Sequence, residues 1–320
     1  MKLLRMIATL AFLAASAAAL AQSYPSKPGR LIIATTAGSA SDVIGRMFVE
    51  HLSKGLGQSF VVDNRGGASG SIGLNAGAKA APDGYTLVFG NLGGSILNQF
   101  LFTSLDFDPE KDFTDIGFVA GIPFVVLVNP TAFPAKNLQE LLSMARAKPG
   151  AINVALDSTS TRVAMALLNQ AANVKLFAVP YNGPAQATAD VLSGLVPVMI
   201  NTVGAARPLV NGGKLRALAI TTQSATELLP GIPSISEQGV TSFGEMTGWV
   251  GLNGPRGIPL DVVTLLNTEV NKFLNLPETK TRFLTLGFHP RPGTPQDYSN
   301  FIVSERARFG PLVKAAGIQP

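Results

Sequence analysis

Short runs of apolar, β-branched residues alternate with longer segments of helical periodicity along most of the chain. Residues 31–34 form such a run, and apolar side chains then recur at helical spacing from Val43 to Leu52, before Gly55 and Gly57. Buried strands are short and apolar, whereas amphipathic helices place apolar residues three or four positions apart. The alternation therefore predicts an α/β protein with a mostly parallel sheet.

The same alternation predicts the remaining elements in two series. The first series continues with strands at residues 60–62 and 85–89 and a helix at 71–80 between them. The second series begins near Pro123. Its expected elements are strands at 124–128, 152–156, 176–181, 196–201 and 215–221, helices that start after Asn137 and Asp157, and helices at 184–192 and 205–210. Two further helices are expected at 260–274 and 298–315.

The length of the chain indicates two domains. It has 320 residues, and a single hydrophobic core stops growing at about 250 to 300 residues. We expect residues 22–123 and 246–320 to form the first domain and residues 124–245 to form the second. The C-terminal tail then returns to the first domain.

Three of the expected strands lead into loops rich in glycine and hydroxyl residues. These loops cover residues 35–42, 66–71 and 90–95. Ser39 and Asp42 have the spacing of a capping box, which would fix the start of the following helix. Helix N-termini present unpaired N–H groups and the positive end of the helix dipole, so they favour an anion. Three such loops together predict a pocket for a small carboxylate or phosphate.

The first 21 residues have the layout of a secretory signal peptide. Lys2 and Arg5 precede an apolar stretch at residues 6–20, and Ala19-Leu20-Ala21 resembles a cleavage site. The apolar stretch is too short to span a bilayer. We expect cleavage after Ala21 and a periplasmic mature protein.

Composition narrows the function further. The absence of cysteine excludes a disulfide framework, thiolate catalysis and a cysteine metal site, and no metal ligands or cofactor are expected. Without Lys2 and Arg5 the net charge falls from +5 to +3, and the basic residues are scattered. No nucleic-acid partner is expected, and we expect a monomer.

An ordered set of short motifs gives the chain a family resemblance. The motifs are Tyr24-Pro-Ser-Lys-Pro28, Gly38-Ser-Ala-Ser-Asp42, Asn64-Arg65, Gly67-Ala68, Gly70, Pro82-Asp-Gly-Tyr-Thr-Leu87, Val179-Pro-Tyr-Asn-Gly183, Gly213-Lys-Leu-Arg-Ala-Leu218, and Trp249 with Gly251 and Pro255. Together they resemble the Bug-type extracytoplasmic solute receptors of tripartite tricarboxylate transporters. Each motif is weak alone, but the ordered set is specific and runs from Tyr24 to near the C-terminus.

The resemblance implies a fold, a ligand class and a partner. The fold is the periplasmic-binding-protein fold, type II-like, in which two α/β domains joined by two crossing segments close on a ligand. The ligand is a small carboxylate such as a dicarboxylate, an aromatic acid or an acidic amino acid, and the partners are transporter membrane subunits. One carboxylate is held at the glycine-rich loops, at the positions that match Gly38, Ser39, Ala40, Ala68, Ser69, Gly70, Asn91, Gly94 and Ser95.

Two loops depart from the family pattern. The family commonly has Pro-Phe where this chain has Ala34 and Thr35, so the aromatic wall is missing and Thr35 becomes a candidate contact. After the strand at 152–156 the family usually has a Gly-x-Gly-Ser/Thr loop, which this chain replaces. The candidate contacts in the replacement are Asp157, Ser158, Thr159, Ser160 and Arg162.

The replaced loop allows two interpretations. Asp157 could meet an amine or hydroxyl group of the ligand and Arg162 a second carboxylate, or the two could pair with each other at a helix start. The hydroxyl residues between them could cap that helix or bind an anion with the same N–H groups. Tyr181 and Asn182 could close over the ligand or hold a turn, and Asn201 could bind ligand or satisfy backbone groups.

Other functions compete with a receptor. An exported serine hydrolase could use Ser39, Ser69 or Ser95, although no Gly-x-Ser-x-Gly elbow occurs, and His51 and His289 are expected to be structural or surface residues. A dinucleotide site at residues 67–73 lacks the Gly-x-Gly-x-x-Gly spacing. A receptor that presents its ligand to a membrane sensor is a third alternative. Trp249 is expected to anchor a hinge by packing.

Overall fold

The computed structural model describes residues 24–224 and 226–318, so the expected signal peptide lies outside the described residues. The strands are β1 (Gly29–Ile33), β2 (Phe60–Asn64), β3 (Thr86–Asn91), β4 (Phe113–Val128), β5 (Asn153–Leu156), β6 (Phe177–Pro180), β7 (Val198–Thr202), β8 (Arg216–Ile220), β9 (Thr247–Pro255) and β10 (His289–Pro290). The helices are α1 (Ala40–Leu56), α2 (Ser71–Ala78), α3 (Asn98–Leu101), α4 (Leu138–Ala147), α5 (Thr159–Ala172), α6 (Pro184–Leu192), α7 (Val203–Asn211), α8 (Leu260–Asn275), α9 (Pro277–Thr285) and α10 (Pro295–Ala315). A π-helix covers Leu92–Leu97, and 3₁₀ turns cover Ala68–Gly70 and Thr241–Phe243.

The sheet is mixed, which corrects the expectation of a mostly parallel sheet. Its strand order is β2-β1-β3-β9-β4-β7-β5-β6, and β8 and β10 also pair with β4. Strand β1 is parallel to β2 and β3, and β5 is parallel to β6 and β7. Every pairing of β4 and β9 is antiparallel. Local patterns predicted the strand-helix units and the second part of β4, but not the first part of β4 or its antiparallel partner β9.

Strand β4 connects the two series of elements. Its residues from Phe113 to Pro123 pair with β9, and those from Phe124 to Val128 pair with β7 and β8. The change of partner falls where the sequence placed a domain boundary. A second connection lies beside it, because Thr221 N–H donates to the Phe124 carbonyl at 3.0 Å and Met246 N–H donates to the Thr221 carbonyl at 2.7 Å.

Two groups of buried apolar side chains pack against strands β4 and β9 and stabilise the connections. Helices α1 and α8 cover one side of β1, β3 and β9, where Phe48 packs between Phe89 and Phe273 with ring centroids 6.1 and 5.5 Å apart. Trp249 is only 2% exposed and packs edge-on against Tyr298 at 6.0 Å. Burial of an aromatic side chain of this size contributes roughly 3 kcal/mol or more. Trp249 is therefore a packed anchor next to the crossing strands.

No helix within the described residues combines the length and the hydropathy that a membrane span requires.

Candidate functional site

A cleft of about 420 Å³ lies where the two series of elements face each other. Its walls are loops that follow β1, β2, β3, β5, β6 and β7, together with Ile122, Phe124 and Trp249 near the crossing strands. The volume is in the range of small-molecule sites. Parallel strands end on the same edge of a sheet, which explains why loops far apart in sequence meet here.

Five helices begin at residues that line this cleft. The residue that caps each N-terminus is Ser39 for α1, Gly70 for α2, Ser158 for α5, Gly183 for α6 and Thr202 for α7. The first N–H groups of a helix have no partner within it, and the helix dipole adds partial positive charge at the same end. The backbone therefore adds partial positive charge to the cleft.

The loop before α1 is held by Asp42. The Ser39 hydroxyl accepts from Asp42 N–H at 3.3 Å, as a capping residue does, but the Asp42 carboxylate accepts from Gly38 N–H at 2.8 Å instead of from the Ser39 backbone. Arg46 and Asn64 also donate to this carboxylate. Burial acts to raise the pKa of Asp42, but these hydrogen bonds outweigh burial and lower it. Asp42 thus stays ionised and fixes Gly38 at the cleft wall.

The loop before α2 is bent into an uncommon backbone conformation. Ala68, Ser69 and Gly70 have φ values of 45°, 55° and 92°. Residues other than glycine rarely adopt left-handed φ values, and such strain is maintained only by surrounding contacts. One such contact comes from Asn98, whose side-chain amide donates to the Ser69 carbonyl at 2.9 Å. The strained turn is therefore fixed against the cleft by a fully buried side chain.

The opposite wall is the start of α5. Ser158 and Thr161 form a capping box, in which the Ser158 hydroxyl accepts from Thr161 N–H at 3.2 Å and Thr161 Oγ1 accepts from Ser158 N–H at 3.1 Å. Thr159 and Ser160 are buried and line the cleft. The Thr159 hydroxyl donates to Asn98 Oδ1 at 3.3 Å. The start of α5 therefore touches the opposite wall through Thr159 and Asn98.

The cleft contains one cationic and one acidic side chain among its lining residues. Asp157 does not pair with Arg162, and its carboxylate accepts from the Thr161 hydroxyl at 3.3 Å. Burial raises the pKa of the Asp157 carboxyl. The half-buried Arg162 guanidinium has no hydrogen bond or ion pair with any residue that the structure describes. Of the two interpretations left open by the sequence, the mutual ion pair is absent between these two residues.

The third wall contains Tyr181 and Asn201. The Tyr181 hydroxyl donates to Asp190 at 2.8 Å, and burial together with this hydrogen bond raises the pKa of Tyr181 to about 12. Its ring lines the cleft while its hydroxyl holds α6. Asn201 is 2% exposed, and its Oδ1 accepts from Thr202 N–H at 2.7 Å. Its amide nitrogen has no acceptor.

The structure brings most of the predicted site residues to this cleft. Those that line it are Thr35, Gly38, Ser39, Ala40, Ala68, Ser69, Gly70, Asn91, Asp157, Ser158, Thr159, Ser160, Arg162, Tyr181, Asn182 and Asn201. Gly94 and Ser95 are not among the lining residues. Gly94 N–H donates to Asn91 Oδ1 at 2.9 Å, and Ser95 faces a small void beside Leu74 and Asp115. The π-helix after Asn91 turns both residues away, so Ser95 has no contact with the cleft.

Several lining residues escaped the sequence analysis. Gly93 follows Asn91 and faces the start of α5, since a Cβ on Gly93 would lie 3.5 Å from Ser160 Oγ. A Cβ on Gly183 would lie 3.2 Å from Thr36 Oγ1, which places Thr36 at a second point where the walls approach. The sequence showed both glycines in loops that follow strands. It did not show that each lies close to a residue of the opposite wall, because that wall is distant in sequence.

The serine hydrolase alternative finds no histidine at the cleft. Ser39 and Ser69 line it, but neither His51 nor His289 does. His51 Nε2 lies 3.1 Å from Glu269 Oε2, between α1 and α8. His289 Nε2 lies 3.3 Å from Thr226 Oγ1, and burial lowers the pKa of His289. Both histidines thus have structural contacts, as expected from the sequence.

Comparisons with known proteins agree with this geometry. The sequence model of the family described as tripartite tricarboxylate transporter family receptor matches residues 44–318. Protein BugT of Bordetella pertussis is 29% identical over 300 residues, which cover 93% of this chain and 91% of BugT.

Two solved structures resemble the chain over almost its whole length. The structure of R. palustris Rpa4515 with adipate is 33% identical, with a TM-score of 0.89, and the match covers 93% of this chain and 100% of the other. MatC (Rpa3494) from Rhodopseudomonas palustris with bound malate is 29% identical, with a TM-score of 0.84, covering 91% of this chain and 100% of MatC. The resemblance to Bug-type receptors and the periplasmic-binding-protein fold are thereby confirmed, and the chain belongs to the tripartite tricarboxylate transporter family of receptors.

Proposed function

We propose that this protein is a periplasmic receptor that captures a small carboxylate-bearing ligand in the cleft and delivers it to the membrane subunits of a tripartite tricarboxylate-type transporter. The observation that carries the proposal is the convergence of five helix N-termini on one cleft. Unpaired N–H groups at such termini bind anions without a positively charged side chain. A carboxylate offers two oxygens to receive them.

The relatives support a carboxylate as the ligand. Rpa4515 and MatC are each described with a dicarboxylate, adipate and malate respectively. A dicarboxylate is therefore the first ligand class to test here, before aromatic acids and acidic amino acids. The family relationship also supports transporter membrane subunits as the partners, with a membrane sensor as the alternative partner.

The mechanism is ligand-dependent closure of the two walls. The loops before α1 and α2 bind one carboxylate, and the starts of α5, α6 and α7 then add contacts that exist only in the closed state. A ligand shifts an equilibrium only through such differential contacts. The walls already meet through the Thr159 hydroxyl and Asn98, and through the approach of Gly183 to Thr36. These contacts give closure a defined end point.

The site assignment is tested by filling the cleft at Gly93. In Gly93→Val the new Cβ lies 3.3 Å from Asn91 Oδ1 and 3.5 Å from Ser160 Oγ, so its methyl groups occupy space between the walls. We expect mono-, di- or tricarboxylates to raise the melting temperature of the wild type and to lose this effect in the variant.

Ser95→Ala is the matched control, because Ser95 lies on the same π-helix but outside the cleft. It should keep the wild-type response. Neutral and cationic solutes of similar size serve as ligand controls. A wild type, shown to be folded and free of co-purified solute, that responds to no carboxylate would contradict the proposed function. Equal responses of the wild type and Gly93→Val would contradict the site.

A further inference from the structure

Three asparagines of the chain, Asn182, Asn211 and Asn253, are each followed directly by glycine. In such a pair the backbone nitrogen of the glycine can attack the side-chain amide carbon of the asparagine, because glycine has no Cβ to obstruct the approach. This reaction is one reason why asparagine is a chemically labile residue. It needs a mobile asparagine side chain and a glycine N–H that no hydrogen bond occupies. The reactivity of each pair therefore depends on its place in the fold.

The pair at Asn253 is protected by burial and by its hydrogen bonds. Asn253 is 5% exposed in β9, which lies between β3 and β4. Its amide nitrogen donates to Asp115 Oδ1 at 2.7 Å, and its Oδ1 accepts from the Tyr298 hydroxyl at 3.0 Å. Gly254 pairs with Thr114 of β4 in the sheet. Both reacting groups are therefore held in place.

The pair at Asn211 is exposed but is held by a helix. Asn211 is the last residue of α7, and Gly212 N–H donates to the Pro208 carbonyl at 3.0 Å. This hydrogen bond occupies the attacking nitrogen, and the helix restricts the backbone rotation that ring closure needs. The reaction at Asn211 therefore requires that the end of α7 first opens.

Asn182 has neither kind of protection. It is exposed, lies in the loop between β6 and α6, and lines the cleft. Within the described residues its side chain makes no hydrogen bond, and the N–H of Gly183 makes none either. Gly183 caps α6 in an extended conformation, with φ at 171° and ψ at 170°, so its nitrogen lies outside the helix. The labile pair of the chain is thus the pair at the binding cleft.

The reaction at this pair needs only water as a co-reactant. The Gly183 nitrogen gives its proton to a base from the solvent and attacks Asn182 Cγ, and the new N–Cγ bond closes a succinimide ring. The Cγ–Nδ2 bond breaks, and the amide group takes up a proton and leaves as ammonia. Water then opens the ring at Cγ, which gives aspartate, or at the main-chain carbonyl carbon, which gives isoaspartate. Both products carry a free carboxyl group in place of the neutral amide.

We propose that Asn182 is a deamidation site, whose conversion to aspartate or isoaspartate lowers the affinity of the cleft for carboxylates. The effect on affinity rests on the proposed function, whereas the reaction itself does not. An aspartate side chain is ionised at neutral pH, because its ordinary pKa is about 3.9. The cleft lining then carries two acidic side chains, since Asp157 is its one acid before the reaction. The added negative charge repels a bound carboxylate.

Isoaspartate has a second effect, on the wall itself. It inserts one carbon atom into the main chain directly before Gly183, at the start of α6. A Cβ on Gly183 would lie 3.2 Å from Thr36 Oγ1, so this point is close to the opposite wall. A longer main chain here displaces the start of α6 relative to that wall. Deamidation thus alters both the charge and the fit of the closed cleft.

Peptide mass spectrometry of the aged protein tests the reaction. The folded mature protein is incubated at mildly alkaline pH, and each Asn-Gly pair is monitored for the mass increase of about 1 Da that replaces NH₂ by OH. We expect Asn182 to react about tenfold or more faster than Asn211 and Asn253. In urea the rates of all three should lie within about threefold of one another, because the protecting structure is lost. Asn182→Gln should suppress the reaction, since the longer side chain closes a larger ring.

Calorimetry at low salt tests the effect on binding. The probe is the mono-, di- or tricarboxylate that most raises the melting temperature of the fresh protein, beginning with malate and adipate. Ion exchange separates the deamidated protein from the wild type. We expect the deamidated protein and Asn182→Asp to bind about three- to tenfold more weakly than the fresh wild type. The control Asn211→Asp adds the same charge outside the cleft and should keep the wild-type affinity.

Two results would overturn the inference while leaving the proposed function intact. One is a folded protein in which Asn182 reacts no faster than Asn211 and Asn253. The other is equal affinity of the fresh wild type, the deamidated protein and Asn182→Asp. If the fresh folded wild type binds no carboxylate, the proposed function fails, whereas the mass measurement still decides whether Asn182 deamidates. Melting temperatures without ligand verify that each protein is folded.

Discussion

The contact between Thr159 and Asn98 gives a prediction that can be worked from distances. Asn98 Oδ1 accepts from the Thr159 hydroxyl at 3.3 Å, and Asn98 Nδ2 donates to the Ser69 carbonyl at 2.9 Å and to Ser71 Oγ at 3.2 Å. Asn98 is fully buried and Thr159 is 4% exposed. Thr159→Val removes the hydroxyl donor and keeps the shape, whereas Asn98→Ala removes all three hydrogen bonds.

The magnitudes follow from these bonds. A neutral hydrogen bond contributes about 0.5 to 1.5 kcal/mol to stability, and 3.3 Å is longer than usual for a hydroxyl donor. We therefore expect Thr159→Val to lower the free energy of unfolding by about 0.5 to 1 kcal/mol. Asn98→Ala leaves the Ser69 carbonyl without this donor and creates a small cavity. We expect it to lower the free energy of unfolding by about 2 to 4 kcal/mol. The double variant should lose about 0.5 to 1 kcal/mol less stability than the sum of the losses in the two single variants.

The assay is a double-mutant cycle by urea unfolding of the wild type, both single variants and the double variant. Thr268→Val is the control, since Thr268 is exposed and its hydroxyl donates to the Thr264 carbonyl within α8. It should show no coupling with Asn98→Ala. Additivity of Thr159→Val and Asn98→Ala within about 0.3 kcal/mol would refute the contact between the walls.

Two predictions concern pH. Burial raises the pKa of Asp157, so folding stability falls as pH rises from the unfolded pKa of about 3.9 through the raised folded value. Calorimetry should therefore show a higher melting temperature for Asp157→Asn than for the wild type near neutral pH, with a difference that shrinks towards about pH 4. Asp42 behaves oppositely, because hydrogen bonds from Gly38, Arg46 and Asn64 lower its pKa against burial; its contribution is present above the unfolded pKa and is lost as pH falls. Asp42→Asn should therefore cost about 1 to 2 kcal/mol near neutral pH and less at acid pH in the same assay, and a pH-independent cost would contradict this.

Local sequence signals predicted the helices whose first turns carry a capping residue or a proline. The helix expected at residues 184–192 is α6, where Pro184 supplies the fixed φ of a first turn. The helix expected after Asp157 is α5, with a capping box at Ser158. The first part of β4 was missed, because its start mixes polar residues and glycine and its partner β9 is more than 100 positions away. Helix α9 was missed because few of its residues are apolar.

The same limits apply to the site. Loops after strands could be assigned to one cleft because parallel strands end on one edge. Ser95 was misplaced, because a π-helix at residues 92–97 has no signal in the local sequence and turns the side chain away. The role of Asn98 was not predictable either, since its partners Ser69 and Thr159 are distant in sequence. Spacing alone also left the pairing of Asp157 with Arg162 open, whereas in the structure the Asp157 carboxylate accepts from the Thr161 hydroxyl.

The central claim is that backbone N–H groups at converging helix starts bind a carboxylate in the cleft. The most direct measurement is a ¹H–¹⁵N correlation spectrum of the isotopically labelled protein during titration with the dicarboxylate that most raises its melting temperature. The account predicts large, saturable downfield shifts for the amides of Ala40, Ser41, Thr159 and Ser160, which line the cleft at the starts of α1 and α5. Saturable binding that leaves these amides unchanged and shifts amides on the outer helix α8 instead would contradict it.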